Sequence, residues 1–243
     1  MIVWNTVCMG LVALYLFISS RFGNGEIGGF FFFTVIFLFV FCTFCMGLSG
    51  NAYDWARYKN SWGRNFIAAL KNHVMHIIVF YLVSVFLSAC IMILIPFYFH
   101  GKSYIGVFLG TMLFWVVLFL TVSMQYYLPL CHITHDGPLT VMKKCFALVL
   151  DNKLYSLFVS VKTVFDFMLS ALSFFLFPGI SFICLTHADS VKLLLLRYDW
   201  AREHCVRTKD VNVEEMLEEE KQNIGPRSLK GLFFPWKDMK NGR

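Results

Sequence analysis

Long apolar runs separated by short polar segments fill the first four-fifths of the chain. Each run approaches the roughly 20 mostly apolar residues that a helix needs to cross the hydrocarbon core of a bilayer. The pattern predicts six membrane-spanning helices: Ile2–Ser19, Gly29–Leu48, His76–Phe97, one within Ser103–Leu130, Leu154–Phe177 and Ile180–Leu196. The sixth run is the least apolar, because it contains His187, Asp189 and Lys192. The predicted fold is an all-α polytopic membrane bundle.

The distribution of charge divides the chain into two regions. Apolar residues make up 58% of the chain and charged residues 15%, whereas soluble domains average about 45–50% and about 25%. Residues 1–196 contain 17 charged side chains, and residues 197–243 contain 19. The first region has too few charges to cover a water-soluble surface. We therefore predict a membrane domain at 1–197 and a charged tail at 198–243, and exclude a soluble enzyme, a collagen-like chain and a disordered chain.

The Lys and Arg residues of the loops predict the orientation of the bundle. Loops on one side, together with the tail, contain 17 of these residues, and loops on the other side contain only Arg21 and Lys102. Cytoplasmic loops carry the excess of Lys and Arg. Six spans with both chain ends in the cytoplasm agree with this bias. No basic segment precedes the first span and no small-residue cleavage site follows it, so we expect that span to be retained.

Two loops on the basic side are each predicted to contain a short amphipathic helix. The first covers residues 64–72, before span 3, and follows an aromatic and basic segment at Tyr53–Trp62. The second covers Leu139–Asn152, before span 5. Such helices lie on a membrane surface with their apolar side in the headgroup region. Anchoring to the lipid surface and docking of a partner both remain open for these helices.

These loop segments carry a resemblance to a known family. The stretch Asn65-Phe-Ile-Ala-Ala-Leu-Lys-Asn72, and the stretch Tyr126-Tyr-Leu-Pro-Leu130 followed by a basic helix ending at Asp151-Asn152, are similar to segments of the YesL-like family of small bacterial membrane proteins. The resemblance covers roughly residues 1–197. It implies a multi-pass protein of the bacterial cytoplasmic (inner) membrane that is associated with carbohydrate uptake. It supplies no catalytic residue, and the tail from Tyr198 onward lies outside it.

Spans 5 and 6 contain ionisable residues, which are rare inside a membrane. Lys162 and Asp166 share one face of span 5, because they are four residues apart. Antiparallel packing would bring them close to His187, Asp189 and Lys192 of span 6, so we predict an intramembrane ionic cluster of these five residues. An unpaired charge at the bilayer centre costs about 2.5–3.5 kcal/mol on insertion scales. The cluster is interpreted either as an ionic clasp between the spans or as a path for a solute or proton.

Other potential ligands favour packing over metal or redox chemistry. His73 with His76, and His132 with His135, are predicted at the basic ends of spans 3 and 4, but no metal-binding motif accompanies them. The Cys42-Thr-Phe-Cys45 spacing lies in an uncharged span and lacks the βαβ context of a redox motif. We therefore predict no metal and no cofactor.

The tail combines a charged helix with an apolar segment. Residues 210–222 are predicted to form a solvated acidic helix with a thin apolar stripe. Beyond Gly225 and Pro226, five apolar residues are too many for a free tail. This docking segment comprises Leu229, Leu232, Phe233, Phe234 and Trp236. The inner membrane surface, the protein's own loops and a partner are all open as its binding surface.

The motifs of common enzymes are absent from the sequence. There is no P-loop, no GxSxG, no HExxH and no Gly-rich phosphate cradle, so we predict no catalytic residues, no enzymatic activity and no nucleic-acid partner. The leading hypothesis is a non-enzymatic accessory or regulatory membrane subunit; the family resemblance suggests a carbohydrate importer. The expected partners are the lipid bilayer and a membrane-transport complex or a second copy of the chain. The alternative is a small solute or ion transporter that uses the charged residues of spans 5 and 6.

Overall fold

The structure, a computed structural model, describes residues 1–20, 27–57, 64–100, 103–134, 136–173, 179–208 and 211–224. Every regular element within these ranges is a helix. In chain order they are α1 (Ile2–Ser19), α2 (Ile27–Ala56), α3 (Arg64–Asn72), α4 (Val74–Ala89), α5 (Ile95–His100), α6 (Tyr104–Met124), α7 (Tyr127–Ile133), α8 (Pro138–Asp151), α9 (Lys153–Leu172), α10 (Gly179–Glu203) and α11 (Val213–Ile224). A π-helical turn, Cys90–Leu94, joins α4 to α5.

Six helical segments in the described ranges are long and apolar enough to cross a membrane. They are Ile2–Ser19, Phe31–Ala56, Val74–His100, Tyr104–Ile133, Lys153–Leu172 and Gly179–Glu203. Many large apolar side chains lie on their outer faces, including Leu154 at 85% and Leu172 at 80% exposure. Such a surface requires lipid rather than water around it. The helical elements and the six apolar helices of the described residues confirm the prediction of an all-α, multi-pass membrane protein.

The observed helices differ from the predicted spans mainly at their ends. The second helix continues past the predicted end at Leu48 as far as Ala56. The fourth span bends between α6 and α7, where Tyr126 and Tyr127 are fully buried. The hydroxyl of Tyr126 donates to that of Ser156 inside the protein, whereas the buried hydroxyl of Tyr127 has no hydrogen-bond partner among the described residues.

Local sequence explains where several helices begin and end. Pro138 is the first residue of α8, a position that suits its fixed φ and its missing N–H. Asn152 leaves the helical conformation between α8 and α9, and its side-chain amide donates to the hydroxyl of Tyr198 on α10 at 2.9 Å. After α10, Cys205 adopts a positive φ of 53°, and the next amide bonds back to the carbonyl of Ala201. This left-handed residue ends α10.

Helix α10 lies at the centre of the bundle although it is one of the least apolar spans. It is the most buried of the six, and its mean hydropathy is 1.4 against 2.8 for Val74–His100. It contacts both apolar cores, one around Tyr127 and Val191 and one around Cys8 and Leu48. Since neighbouring helices shield much of α10 from lipid, it can carry His187, Asp189 and Lys192, the ionisable residues that make its span one of the least apolar.

Small residues allow α10 to pack closely along α2. Ala52 and Ala56 on α2, with Cys184 and Ala188 on α10, are all buried and spaced four residues apart. Small side chains at this spacing are typical of close helix contacts in membranes. The ammonium of Lys192 donates to the carbonyl of Ala56 at 3.2 Å. The remainder of α10 therefore projects beyond the end of α2.

Two glycines of α2 form the surface on which α3 rests. A Cβ atom added to Gly47 would collide with the ring of Phe66, and one added to Gly50 would lie 2.7 Å from the Cβ of Ala69. Phe66 also stacks on Trp4 of α1, with ring centroids 4.5 Å apart. The absence of side chains at the two glycines thus fixes α3 against α1 and α2.

The helix α11 packs against the end of α10 rather than being fully solvated. Met216 is buried in a small apolar cluster with Ala201 and Val211. The indole N–H of Trp200 donates to the carboxylate of Glu219 at 2.9 Å. The predicted boundary between membrane domain and tail, at residues 197 and 198, falls inside the continuous helix α10.

Candidate functional site

An ion pair on α9, between the buried carboxylate of Asp166 and the partly exposed ammonium of Lys162, is the centre of the polar contact between α9 and α10. The ammonium of Lys162 lies 2.9 Å from a carboxylate oxygen of Asp166 and donates to the hydroxyl of Thr186 on α10, also at 2.9 Å. Asp166 is only 6% exposed. Lys162 lies 5.0 Å from the ring centroid of Phe182 on α10. The pair therefore neutralises two charges at the interface and ties α9 to α10.

Hydrogen bonds extend this interface in both directions along the helices. The hydroxyl of Thr163 donates to the carbonyl of Val159 at 2.8 Å and lies 3.0 Å from Nε2 of His187. Because the Thr163 proton is used by Val159, Nε2 of His187 is the donor to Thr163. Near the opposite end, the amide of Gly179 donates to the hydroxyl of Ser170 at 2.9 Å. His187 thus joins the same polar interface as Lys162.

A polar stripe that was not predicted from the sequence runs along the inward face of α9. Its members are three or four residues apart and so share one side of the helix. They are Ser156, Ser160, Thr163, Asp166 and Ser170. The spacing of three and four residues between these side chains is present in the sequence. Such residues commonly hydrogen-bond across helices in membranes.

The end of this stripe that contains Ser156 and Ser160 contacts the bend between α6 and α7. Tyr126 donates from its hydroxyl to the hydroxyl of Ser156 at 3.0 Å. Gln125 donates to the carbonyl of Ser156 at 3.2 Å and accepts from the hydroxyl of Ser160 at 3.0 Å. The polar groups of α9 are therefore bonded to other parts of the bundle at both ends of the helix.

Lys192 and Asp189 make no ion pair within 4 Å with Lys162 or Asp166 among the described residues, although the positive charges of Lys192 and Lys162 both act on the carboxylate of Asp189. Lys192 lies beside the end of α2 and pairs with Glu220 of α11 at 2.6 Å. Asp189 lies on an exposed side of α10, and no cation of the described residues is within 4 Å of its carboxylate. Overlapping depth predicted contact between these residues, but it did not specify the face of α10 on which each lies.

Three histidines meet near the ends of α4 and α7. The ring of His73 lies 4.8 Å from that of His132 and 5.3 Å from that of His76, measured between centroids. Nε2 of His76 lies 3.1 Å from the carbonyl oxygen of Asp136. His135 lies outside the described residues. Within the described ranges, no three His, Cys, Asp or Glu side chains are arranged to bind a metal ion.

The cysteines divide into buried and exposed thiols. Cys45 packs with Cys8 and Cys184 in the apolar core between α1, α2 and α10, and Cys42 is also buried. On α8, burial raises the pKa of Cys145 to about 12. A thiol that stays protonated is a poor nucleophile. Cys205, at the end of α10, is exposed.

The predicted docking segment of the tail, from Leu229 to Trp236, lies outside the described residues.

Comparison with protein-family models, with curated proteins and with solved structures finds no match to this chain. A functional assignment therefore depends on the residues of the chain and on the geometry described above.

Proposed function

We propose that the protein is a non-enzymatic accessory or regulatory subunit of a membrane complex in the cytoplasmic membrane of a bacterium. The observation that carries the proposal is the polar interface between α9 and α10. Its charged and hydroxyl groups bond to one another and to the α6–α7 bend, as Lys162 does to Asp166 and Thr186. These bonds favour the interpretation of the interface as an ionic clasp, which holds the helices in position, over a path for a solute or proton.

The burial of these groups supports the clasp over a transport path. A path needs side chains that can exchange their partners for a passing solute or for water. Asp166 and Ser170 are buried, and the hydroxyl of Ser170 both donates to the carbonyl of Asp166 and accepts from the amide of Gly179. Removing these bonds during each transport cycle would expose several unsatisfied polar groups to the bundle interior.

The proposed orientation places both chain ends in the cytoplasm. The support is the ratio of 17 to 2 basic residues between the two sets of loops. With this orientation, α3, α8 and α11 lie at the cytoplasmic end of the bundle. Each has an exposed polar side, which includes Lys71, Lys144 and Glu215 respectively. These helices would form the surface that a partner contacts.

The association with a carbohydrate importer depends on the sequence resemblance alone, and co-purification tests it. The full-length chain with an affinity tag is solubilised from native membranes, and the co-purifying proteins are quantified by mass spectrometry. An unrelated six-span protein with the same tag and a similar expression level is the control. The proposal expects importer subunits in a fixed molar ratio to the tagged chain. Recovery of the chain alone, or only as a homo-oligomer, would contradict an accessory role.

A transporter remains the second candidate, because Lys162 and Asp166 form an ion pair inside an apolar span. The purified chain is reconstituted alone into liposomes, and proton and monovalent-cation fluxes are measured. Flux that depends on Lys162 would favour this candidate. The matched control is Lys153→Met, since Lys153 is an exposed residue at the start of the same helix.

A further inference from the structure

A cavity opens at the end of the bundle where α2 and α7 terminate against α10. Its volume is about 330 Å³. Its lining includes Ala56, Arg57, Ile133, Lys192, Leu195 and Asp199. Ala56 and Ile133 are the last residues of two of the membrane-spanning segments. The cavity therefore lies where two of the six apolar helices end.

Two cations, Arg57 just after the end of α2 and Lys192 on α10, converge on this cavity. The guanidinium of Arg57 lies 4.4 Å from the ring centroid of Tyr53. Lys192 donates to the carbonyl of Ala56, the residue before Arg57, so both cations are at the same level of the bundle. The opposite wall is apolar and contains Ile133 and Leu195. This combination suits an anionic group attached to a partly apolar body.

The charge of the cavity is balanced by a residue from outside it. Among its lining residues, Arg57 and Lys192 outweigh the one acidic residue, Asp199. The missing negative charge is supplied by Glu220 of α11, which lies 2.6 Å from the ammonium of Lys192. Glu220 belongs to a helix held by a small apolar cluster around Met216. An anionic ligand in the cavity would therefore compete with Glu220 for the ammonium of Lys192.

We propose that this cavity binds the phosphate of an anionic lipid headgroup, and that the phosphate displaces Glu220 and so releases α11 from α10. Arg57 and Lys192 hold the phosphate, and the apolar wall contacts the glycerol portion of the lipid. A cavity of this volume holds a headgroup, while the acyl chains remain in the bilayer. The position of α11 would then report the lipid composition around the protein.

A spin-label distance measurement follows the release of α11. Cys205 and a cysteine introduced by Glu218→Cys are labelled in the full-length protein, since both positions are exposed and the other native cysteines are buried. The protein is placed in nanodiscs of phosphatidylcholine, or of phosphatidylcholine with phosphatidylglycerol. We expect phosphatidylglycerol to lengthen and broaden the distance distribution. Soluble glycerol phosphate, added to phosphatidylcholine discs, should leave the distribution unchanged.

Variants separate the proposed site from general charge effects. Glu220→Gln removes the competing carboxylate and should lower the phosphatidylglycerol fraction needed for half-release by about threefold or more. Glu215→Gln removes the same charge from an exposed position of α11 and should have no effect. Arg57→Gln and Lys192→Met should abolish the response. Because Lys192 also contacts the end of α2, the exposed Arg57 carries the test if Lys192→Met does not fold.

Three outcomes would overturn the proposal. The first is a distance distribution that does not respond to phosphatidylglycerol in either the parent protein or Glu220→Gln. The second is an equal shift of the response by Glu215→Gln and by Glu220→Gln. Alternatively, soluble glycerol phosphate would release α11 as well as the lipid does, which would overturn the assignment to a lipid headgroup. A response that depends on Arg57 and is enhanced only by Glu220→Gln would support the proposal.

Discussion

The side-chain oxygen of Asn5, near the start of α1, accepts a hydrogen bond from the backbone amide of Ser181 at the start of α10, at 3.0 Å. The first amides of a helix have no partner within that helix and need another acceptor. Asn5 supplies it from a different span, and it is 1% exposed. Gly179 makes the contact possible, because its φ is +68° and an added Cβ would collide with the Asn5 side chain.

Replacing Asn5 should therefore destabilise the contact between α1 and α10. Asn5→Ala removes the acceptor for Ser181 and should lower stability by about 0.5–2 kcal/mol, the usual cost of a lost helix cap. Gly179→Ala should cost more, since it combines strain at positive φ with the collision. Thermal unfolding in nanodiscs measures both. Thr6→Ala is the control, because Thr6 is exposed and bonds only within α1; equal effects of all three changes would contradict the contact.

The glycine surface under α3 predicts a second set of effects. Gly50→Ala should displace α3, because the new methyl group would lie 2.7 Å from the Cβ of Ala69, which cannot rotate away. Overpacking of this kind costs about 1–3 kcal/mol. Hydrogen exchange of the α3 amides should increase. Gly10→Ala in α1 has open space around it and should be neutral or stabilising; unchanged exchange of α3 in Gly50→Ala would show that α3 does not rest there.

The thiols should differ sharply in reactivity with a maleimide. At pH 7.5 Cys205 should react, because it is exposed, whereas Cys145 should react only after SDS unfolding. Burial raises the pKa of Cys145 from 9.0 to about 12, so the folded state keeps this proton to higher pH than the unfolded state. The contribution of the protonated Cys145 thiol to the free energy of unfolding is therefore present below pH 9 and is lost as the pH rises towards 12. Labelling of Cys145 in the folded protein as fast as Cys205 would contradict the packing of α8.

The orientation is tested by single cysteines in a Cys205→Ser background. Cysteines at Lys59, Lys144 and Lys237 should be protected from a membrane-impermeant maleimide in intact cells and should react after permeabilisation. A cysteine at Lys102 should react in both conditions. This result follows from the excess of Lys and Arg in the loops that include Lys59 and Lys144. Reaction of the Lys144 position in intact cells would exclude the proposed orientation.

The apolar pattern predicts the number of membrane-spanning helices well, because each span is encoded by its own continuous residues. The contacts between spans are less predictable. Asn5 and Ser181 are 176 residues apart, and nothing local in either segment specifies that they meet. The hydroxyl stripe of α9 could be predicted from its spacing, as Ser156 and Ser160 illustrate. The partner of Lys192 could not, since Glu220 reaches it through the docking of a separate helix.

The central claim is that the ion pair of Lys162 and Asp166, both on α9, stabilises the bundle at the point where Lys162 also bonds to Thr186 of α10. A double-mutant cycle on Lys162 and Asp166 tests the ion pair most directly. Lys162→Met leaves a buried carboxylate without its cation and should cost roughly 3–5 kcal/mol. Asp166→Leu should cost less, because Lys162 retains the hydroxyl of Thr186 and its long side chain can extend towards a polar region.

The double variant Lys162→Met with Asp166→Leu should recover most of the lost stability, since it removes both charges together. The free energy of unfolding of the four proteins is measured in the same nanodiscs. Strong coupling, with the double variant close to the parent protein, is the result that the clasp predicts. A double variant destabilised by the sum of the two single changes would show that the two charges do not stabilise each other and would contradict the clasp.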